Sequence, residues 1–191
     1  MYELLGIIAG ILAIGGYIPY VISIFQRKTI PNRATWFIWT IVGGLLAFSF
    51  FAEGDQRAIW LPMGYFVGPL IVAILSLRYG YSNWTKLDKI CLVVAILSLL
   101  PWLLSNDATL TLLINVLIDM TGAIPTLVKS YREPETEDFL SWTIFFIANA
   151  LEVFVITNWN LAAIYPIYLF LLAGSIVVFL GRSKIKFVHK S

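Results

Sequence analysis

Long apolar segments alternate with short polar ones along the whole chain. A membrane-spanning helix needs about 20 mainly apolar residues, and backbone in hydrocarbon must form its hydrogen bonds within its own helix. Each apolar segment is therefore predicted to be helical. The segments that fit a span are Tyr2–Phe25, Thr35–Ala52, Ile59–Leu77, Ile90–Leu104, Thr109–Val128, Phe139–Thr157 and Leu161–Leu180. This pattern predicts an all-α integral membrane protein with seven transmembrane helices.

The composition supports a membrane protein and excludes several soluble classes. Of the 191 residues, 60% are hydrophobic and 13% are charged, about half the charged fraction of a soluble domain. One core of this size cannot hide so much apolar side chain from water. We therefore expect no soluble enzyme, no nucleic-acid partner and no disulfide scaffold. With one cysteine, Cys91, and one histidine, His189, we expect no metal site, no cofactor and no enzymatic nucleophile.

Basic residues are distributed unevenly between the two sides of the predicted membrane. If all seven segments cross, Arg57 lies alone on the side of the N-terminus. The other twelve of the 13 basic residues lie on the opposite side. Basic loops stay in the cytoplasm, so the N-terminus is predicted outside and the C-terminus in the cytoplasm. We expect a multi-pass protein of the plasma or inner membrane whose basic segments contact anionic membrane lipid.

An internal repeat accounts for the odd number of helices. Shifting the chain by 106 residues pairs Gly16–Pro19 with Gly122–Pro125, and Trp36 with Trp142. Residues 1–82 and 107–191 are then two three-helix units, and residues 83–106 are a linker helix that restores the orientation of the second unit. The prediction is a 3+1+3 parallel repeat, related by an axis along the membrane normal.

This plan resembles that of the SWEET and PQ-loop membrane proteins. The resemblance rests on the 3+1+3 order, the external N-terminus and a proline near the inner end of the first and fifth helices. The family's Pro-Gln signature is replaced by Pro19-Tyr20 and Pro125-Thr126. The asparagines that the sugar transporters carry in the third helix of each repeat are missing from 59–77 and 161–180. The resemblance implies the fold of a distant branch, with Pro19 and Pro125 as hinges of an inner gate, but no sugar substrate.

Polar side chains inside the predicted spans indicate a binding site. A carboxylate at the bilayer centre costs at least ~2.5 kcal/mol and usually marks function. Asp119 and Glu152 lie within spans, and each shares a helix face with an asparagine, Asn115 and Asn149 respectively,. We predict a site near the midplane, in the fifth and sixth helices, for a small polar or cationic solute. Proton exchange at Asp119 and a purely structural role are the alternatives.

The repeat singles out two further pairs of residues. Trp36 and Trp142 begin the second and sixth helices, where they either flank the binding site or anchor the helices at the lipid headgroups. Arg27 and Glu133 occupy equivalent positions in two cytoplasmic loops of opposite charge. They are predicted to latch a closed cytoplasmic gate, and two separately solvated loops are the alternative.

These observations predict a small-solute transporter that works by alternating access between two three-helix bundles. A seven-helix receptor or sensor and a membrane scaffold without transport are the alternatives. No lysine lies between residues 161 and 180, which excludes an opsin with a Schiff base in the last helix. Glycines in the first span, such as Gly6 and Gly10, suit close helix packing within one chain or in an oligomer.

Overall fold

The computed structural model describes residues 2–52, 60–105, 107–157 and 159–188, which are helical apart from short connections. The helices are α1 (Tyr2–Gly15), α2 (Tyr17–Phe25), α3 (Arg33–Ala52), α4 (Trp60–Tyr79), α5 (Lys86–Leu104), α6 (Ala108–Arg132), α7 (Phe139–Phe154) and α8 (Ile164–Val188). Short 3-10 turns at Pro134–Thr136 and Leu161–Ala163 precede α7 and α8. Each predicted span falls on one of these helices, with α1 and α2 together forming the first. The predicted start at Ile59, the loop over 53–57 and the tail residues 189–191 lie outside the described residues.

Several helices have the length and apolarity of membrane spans. Among the described residues, three helical segments are both long enough and apolar enough to cross a membrane, namely Leu4–Phe25, Thr109–Arg132 and Ile164–Ser183. Shorter apolar helices cover Arg33–Ala47, Gly64–Tyr79 and Phe139–Phe154. The helices also carry many outward-facing aliphatic side chains, which lipid covers in a membrane protein. The described residues are therefore those of an all-α protein that is compatible with a membrane, while the crossing of all seven helices stays a prediction.

α5 begins about one turn earlier than the sequence pattern predicts. The backbone N–H of Asp88 donates to Thr85 Oγ1 at 3.0 Å, and the N–H of Thr85 donates to Asp88 Oδ2 at 2.8 Å. This reciprocal arrangement is a capping box, which satisfies two backbone donors at the N-terminus of a helix. α5 therefore starts at Lys86 rather than at Ile90, because polar capping extends it beyond its apolar part.

The two prolines predicted as hinges occupy different positions in their helices. Pro19 lies in the first turn of α2, just after the boundary with α1 at Gly16, whose backbone is itself helical. Proline has no backbone N–H, so Pro19 cannot donate the helical hydrogen bond that the carbonyl of Gly15 would accept. Pro125 lies inside α6 and removes the hydrogen bond that the carbonyl of Thr121 would accept. Bending at either proline stays a prediction.

The chain divides into two compact units that group the helices differently from the sequence repeat. The central unit is Pro31–Thr126, and the split unit combines residues up to Ile30 with residues from Leu127 onward. In the central unit, α3 packs against α4 and α5, whereas in the split unit α7 packs against α1, α2 and α8. The repeat boundaries at 1–82, 83–106 and 107–191 concern duplication rather than packing, and they stay a prediction.

Close helix contacts in each unit depend on a glycine. In the central unit, a Cβ added to Gly122 of α6 would lie 2.7 Å from Cγ2 of Ile38 in α3. In the split unit, a Cβ added to Gly16 would lie 2.5 Å from Cε1 of Phe145 in α7. Both distances are too short for a real Cβ atom. Because glycine has no side chain, these helices can approach closely at Gly122 and Gly16. The buried core beside Gly122 consists of Ile38, Val42, Cys91, Ala95, Ile114 and Ile118.

Candidate functional site

Asn115 and Asp119 are buried polar side chains that share one face of α6. Asn115 and Asp119 lie one helical turn apart in the central unit, and they are 6% and 5% exposed. Oδ1 of Asn115 is buried and has no hydrogen-bond partner among the described residues. Trp39 of α3 lies beside the pair, because its Nε1 donates to the backbone carbonyl of Asp119 at 3.3 Å. A buried acceptor without a donor is costly, so this face of α6 suits a ligand that brings one.

The polar residues predicted on α7 belong to the split unit. Asn149 is half-buried, and its Nδ2 lies 3.5 Å from the backbone oxygen of Leu169 in α8. This long hydrogen bond connects two helices, as polar side chains commonly do in membrane proteins. Glu152 is also half-buried, three residues further along α7. The part of Asn149 and Glu152 in solute binding stays a prediction.

Both repeat-related tryptophans are buried inside protein. Trp36 is 1% exposed and Trp142 is 3% exposed, whereas a side chain that anchors a helix among lipid headgroups must reach them. The ring of Trp36 packs edge-on against that of Trp39, with centroids 5.0 Å apart. Nε1 of Trp142 donates to Oε2 of Glu137 at 2.8 Å. The two indoles are therefore packing residues within their own units, and their contact with a solute stays a prediction.

A buried charged cluster in the split unit is the site that the sequence did not predict. Nζ of Lys129, near the end of α6, lies 2.6 Å from Oε1 of Glu137, and the two side chains are 6% and 0% exposed. Oε2 of Glu137 accepts hydrogen bonds from the hydroxyl of Tyr20 at 2.9 Å and from Nε1 of Trp142 at 2.8 Å. A buried ion pair requires such additional hydrogen bonds. Tyr20, Lys129, Glu137 and Trp142 are called the buried clasp below.

The buried clasp also joins two loops. Nζ of Lys129 donates to the backbone oxygen of Ile30 and, at 3.2 Å, to that of Thr136. The N–H of Ile30 donates to the same oxygen of Thr136 at 3.0 Å. The loop after α2 and the loop before α7 are thus attached to each other and to the end of α6. Arg27 and Glu133 lie exposed in these loops, and a latch between them stays a prediction.

The sequence contains only weak signals for the buried clasp. Tyr20 directly follows Pro19 and places a polar hydroxyl near the end of the first predicted span. Lys129 and Glu137 pair with Ser23 and Pro31 under the shift of 106 residues. The repeat therefore does not single out the lysine or the glutamate. In the sequence, each looks like an ordinary charged residue next to a loop.

A cavity of about 710 Å³ lies beside the buried clasp in the split unit. Its lining includes acidic, basic and hydroxyl side chains, among them Glu137, Asp138, Lys28 and Ser23. It also includes apolar side chains of α7 and α8, such as Phe139 and Leu180. Asp138 is engaged as the cap of α7, since its Oδ1 accepts from the N–H of Ser141 at 2.7 Å. No group of His, Cys, Asp and Glu suited to a metal ion occurs in the part of the chain that the structure describes.

Comparisons with known proteins provide no relative for this chain. No family model, no curated protein and no solved structure matches it. The case for a function therefore rests on the polar pair of α6 and on the buried clasp, and the relationship to SWEET and PQ-loop proteins stays a prediction.

Proposed function

We propose that this chain is a small-solute membrane transporter that binds its solute at Asn115 and Asp119. The observation that carries the proposal is the buried Oδ1 of Asn115, which has no partner among the described residues and lies one turn from a buried carboxyl. Asn115 lies on α6, whose segment Thr109–Arg132 is long and apolar enough to span a membrane. Polar groups in such helices commonly belong to solute or ion pathways.

The chemistry of the polar pair favours a solute with hydrogen-bond donors. An amide oxygen and an ionised carboxylate both accept hydrogen bonds, so N–H and O–H groups of a solute complement them. A positive charge strengthens the contact with an ionised Asp119. The proposed solute is therefore a small polar compound with amine, amide or hydroxyl groups, and amines are the first class to test.

In the proposed topology the chain crosses the plasma or inner membrane seven times. Its N-terminus lies outside and its C-terminus lies in the cytoplasm. The unequal distribution of the 13 basic residues supports it, because the positive-inside rule applies to short loops of this kind. The solute site would then be exposed alternately to the two sides, as in transporters built from repeats.

Helix caps at equivalent positions support the proposed duplication. In the central unit, Oδ1 of Asn32 accepts a hydrogen bond from the N–H of Thr35 at 3.1 Å. In the split unit, Oδ1 of Asp138 accepts from the N–H of Ser141 at 2.7 Å. Asp138 and Ser141 follow Asn32 and Thr35 by 106 residues, so the same cap begins α3 and α7.

Glycine contacts at equivalent positions give the same support. A Cβ on Gly16 would meet the ring of Phe145 at 2.5 Å, and a Cβ on Gly122 would meet Cδ1 of Trp39 at 3.4 Å. Both members of the second pair correspond to those of the first under the shift of 106 residues. Matching caps and matching aromatic contacts favour a 3+1+3 plan over a chance alignment of apolar segments.

A ligand screen by thermal unfolding tests the function and the site together. The purified protein in detergent is heated with amines, amino acids, sugars, nucleosides and vitamins at two pH values, alongside Asn115→Leu and Asp119→Asn. A ligand at a hundred times its Kd stabilises the folded state by about 2.7 kcal/mol. We expect an amine-bearing compound to raise the Tm of the wild type and to leave that of both variants unchanged.

Thr121→Val is the matched control for the screen. Thr121 is on the same helix, and its hydroxyl donates to the backbone oxygen of Leu117 one turn earlier, so its loss affects only α6. This variant should respond to the ligand as the wild type does. Equal shifts in all four proteins would contradict the site. A wild type that no compound stabilises would contradict solute binding and favour a scaffold.

A further inference from the structure

We infer that the cavity beside the buried clasp binds the headgroup of a zwitterionic membrane phospholipid, with its phosphate at Lys28 and its ammonium at Glu135 and Asp138. The cavity has a volume of about 710 Å³, and all of its lining residues belong to the split unit. Sites for small molecules commonly have volumes of about 300–1,000 Å³. This inference requires that the chain lies in a membrane, and it depends neither on transport nor on the polar pair of α6.

The cavity extends from the surface into the interior of the split unit. Its lining includes Lys28, Glu135 and Leu140, which are exposed. It also includes Ser23 and Leu180, which are buried. A bound molecule can therefore bury one part there while another part stays outside. A phospholipid requires such an opening, because its acyl chains remain in the bilayer.

Charges of both signs line the cavity and are available to a ligand. Lys28 and Glu135 form no ion pair within the part of the chain that the structure describes. Asp138 caps α7 through Oδ1, and its Oδ2 accepts no hydrogen bond from the described residues. Glu137, by contrast, is paired with Lys129. A ligand with one anionic and one cationic group complements these free charges, whereas a purely anionic headgroup would meet two carboxylates.

The cavity lies where two apolar helical segments end. The segment Leu4–Phe25 ends two residues after Ser23, and the segment Ile164–Ser183 ends at a lining residue. Both segments are long and apolar enough to cross a membrane. The polar headgroup layer begins where the hydrocarbon core ends, so lining residues at these positions lie at the depth of lipid phosphates.

An apolar helix face continues from the cavity along α7. Leu140 lines the cavity and is 57% exposed, and Ile147 is 45% exposed. These residues are seven apart, so they share one face of the helix. An acyl chain on this face would remain attached to a headgroup in the cavity. The continuity favours a lipid over a free solute with the same charges.

Native mass spectrometry of the full chain, released from detergent micelles, tests the preference for a zwitterion. The protein is titrated with phosphatidylethanolamine and with phosphatidylglycerol of the same acyl chains, and the Kd of the first bound lipid is measured. We expect phosphatidylethanolamine to bind about tenfold more tightly, because its ammonium forms charge-assisted hydrogen bonds with the carboxylates. Equal Kd values for the two lipids would overturn the inference.

Single substitutions test the residues assigned to the headgroup. Lys28→Met and Glu135→Gln should each weaken phosphatidylethanolamine binding by about fivefold, since each removes one charged contact. Arg132→Met and Glu133→Gln are the matched controls, because both residues are exposed in the same unit and lie outside the lining of the cavity. Size-exclusion profiles in detergent identify the folded variants. Folded cavity variants that bind this lipid as tightly as the controls do would overturn the assignment.

A double substitution tests selectivity rather than stability. Glu135→Lys with Asp138→Asn removes both free carboxylates and adds a cation, while asparagine still caps α7 as well as aspartate does. This variant should prefer phosphatidylglycerol by about tenfold, because the lining is then basic. A merely structural role of the two residues would weaken both lipids equally, and that result would contradict the site.

The headgroup without acyl chains distinguishes a lipid from a free zwitterion. Glycerophosphoethanolamine should displace phosphatidylethanolamine only at concentrations at least about tenfold higher, because it lacks the apolar contact with α7. Leu140→Asn should weaken lipid binding, whereas Leu171→Asn, which replaces an equally exposed leucine of α8 outside the lining, should not. Displacement by the free compound at equal concentration, with no effect of Leu140→Asn, would assign the cavity to a soluble zwitterion and overturn the lipid.

Discussion

Thr35 and Thr126 form a buried pair of hydroxyl groups in the central unit, where Thr126 donates to Thr35 at 2.9 Å. Thr126→Val removes this donor and should lower the free energy of unfolding by about 1–3 kcal/mol. Thr35→Val together with Thr126→Val should cost less than the sum of the single changes, because both polar groups then disappear together. Thermal unfolding in detergent measures this difference, and strictly additive costs would show that the hydroxyls act independently.

Among the elements, α6 depends on Gly122 for its approach to α3. Gly122→Ala should destabilise the protein by about 1–3 kcal/mol, because the new methyl group overlaps Ile38 and the packed core must shift. Gly6→Ala on α1 is the matched control, since an added Cβ there has no atom within 4 Å. The control should be neutral or gain up to about 1 kcal/mol from helix propensity. Equal Tm values for both variants would contradict the close packing of α6 on α3.

At the scale of the whole molecule, the crossing by α5 decides the topology. α5 is not one of the three helices that are sufficient in both length and apolarity, yet the seven-span prediction requires it to cross. Reporter fusions within 81–83 and within 105–107 should therefore be active on opposite sides of the membrane, with the first in the cytoplasm. A reporter at the C-terminus should also be cytoplasmic. Activity of both loop reporters on one side would exclude seven spans.

The sequence by itself determined the helices, because a helix in lipid satisfies its backbone hydrogen bonds locally. The apolar segments predict most helix ends to within about a turn, including the capped start of α5 at Lys86. The exception is α8, which was predicted to end at Leu180 and continues to Val188. The polar pair of α6 was predictable for the same reason, since residues 115 and 119 share a face of any α-helix. The shift of 106 residues likewise selected the two glycines whose equivalent contacts the structure contains.

The tertiary structure alone decided which side chains meet. Tyr20 and Glu137 are 117 residues apart, and no periodicity of the chain relates them or predicts that Lys129 lies between two loops. Burial of Trp36 and Trp142, and the grouping of α1 and α2 with α7 and α8, likewise depend on packing between distant segments. A local pattern specifies each helix, because its hydrogen bonds connect near neighbours. The buried clasp exists only because several helix ends and loops converge, and that convergence is a property of the folded chain.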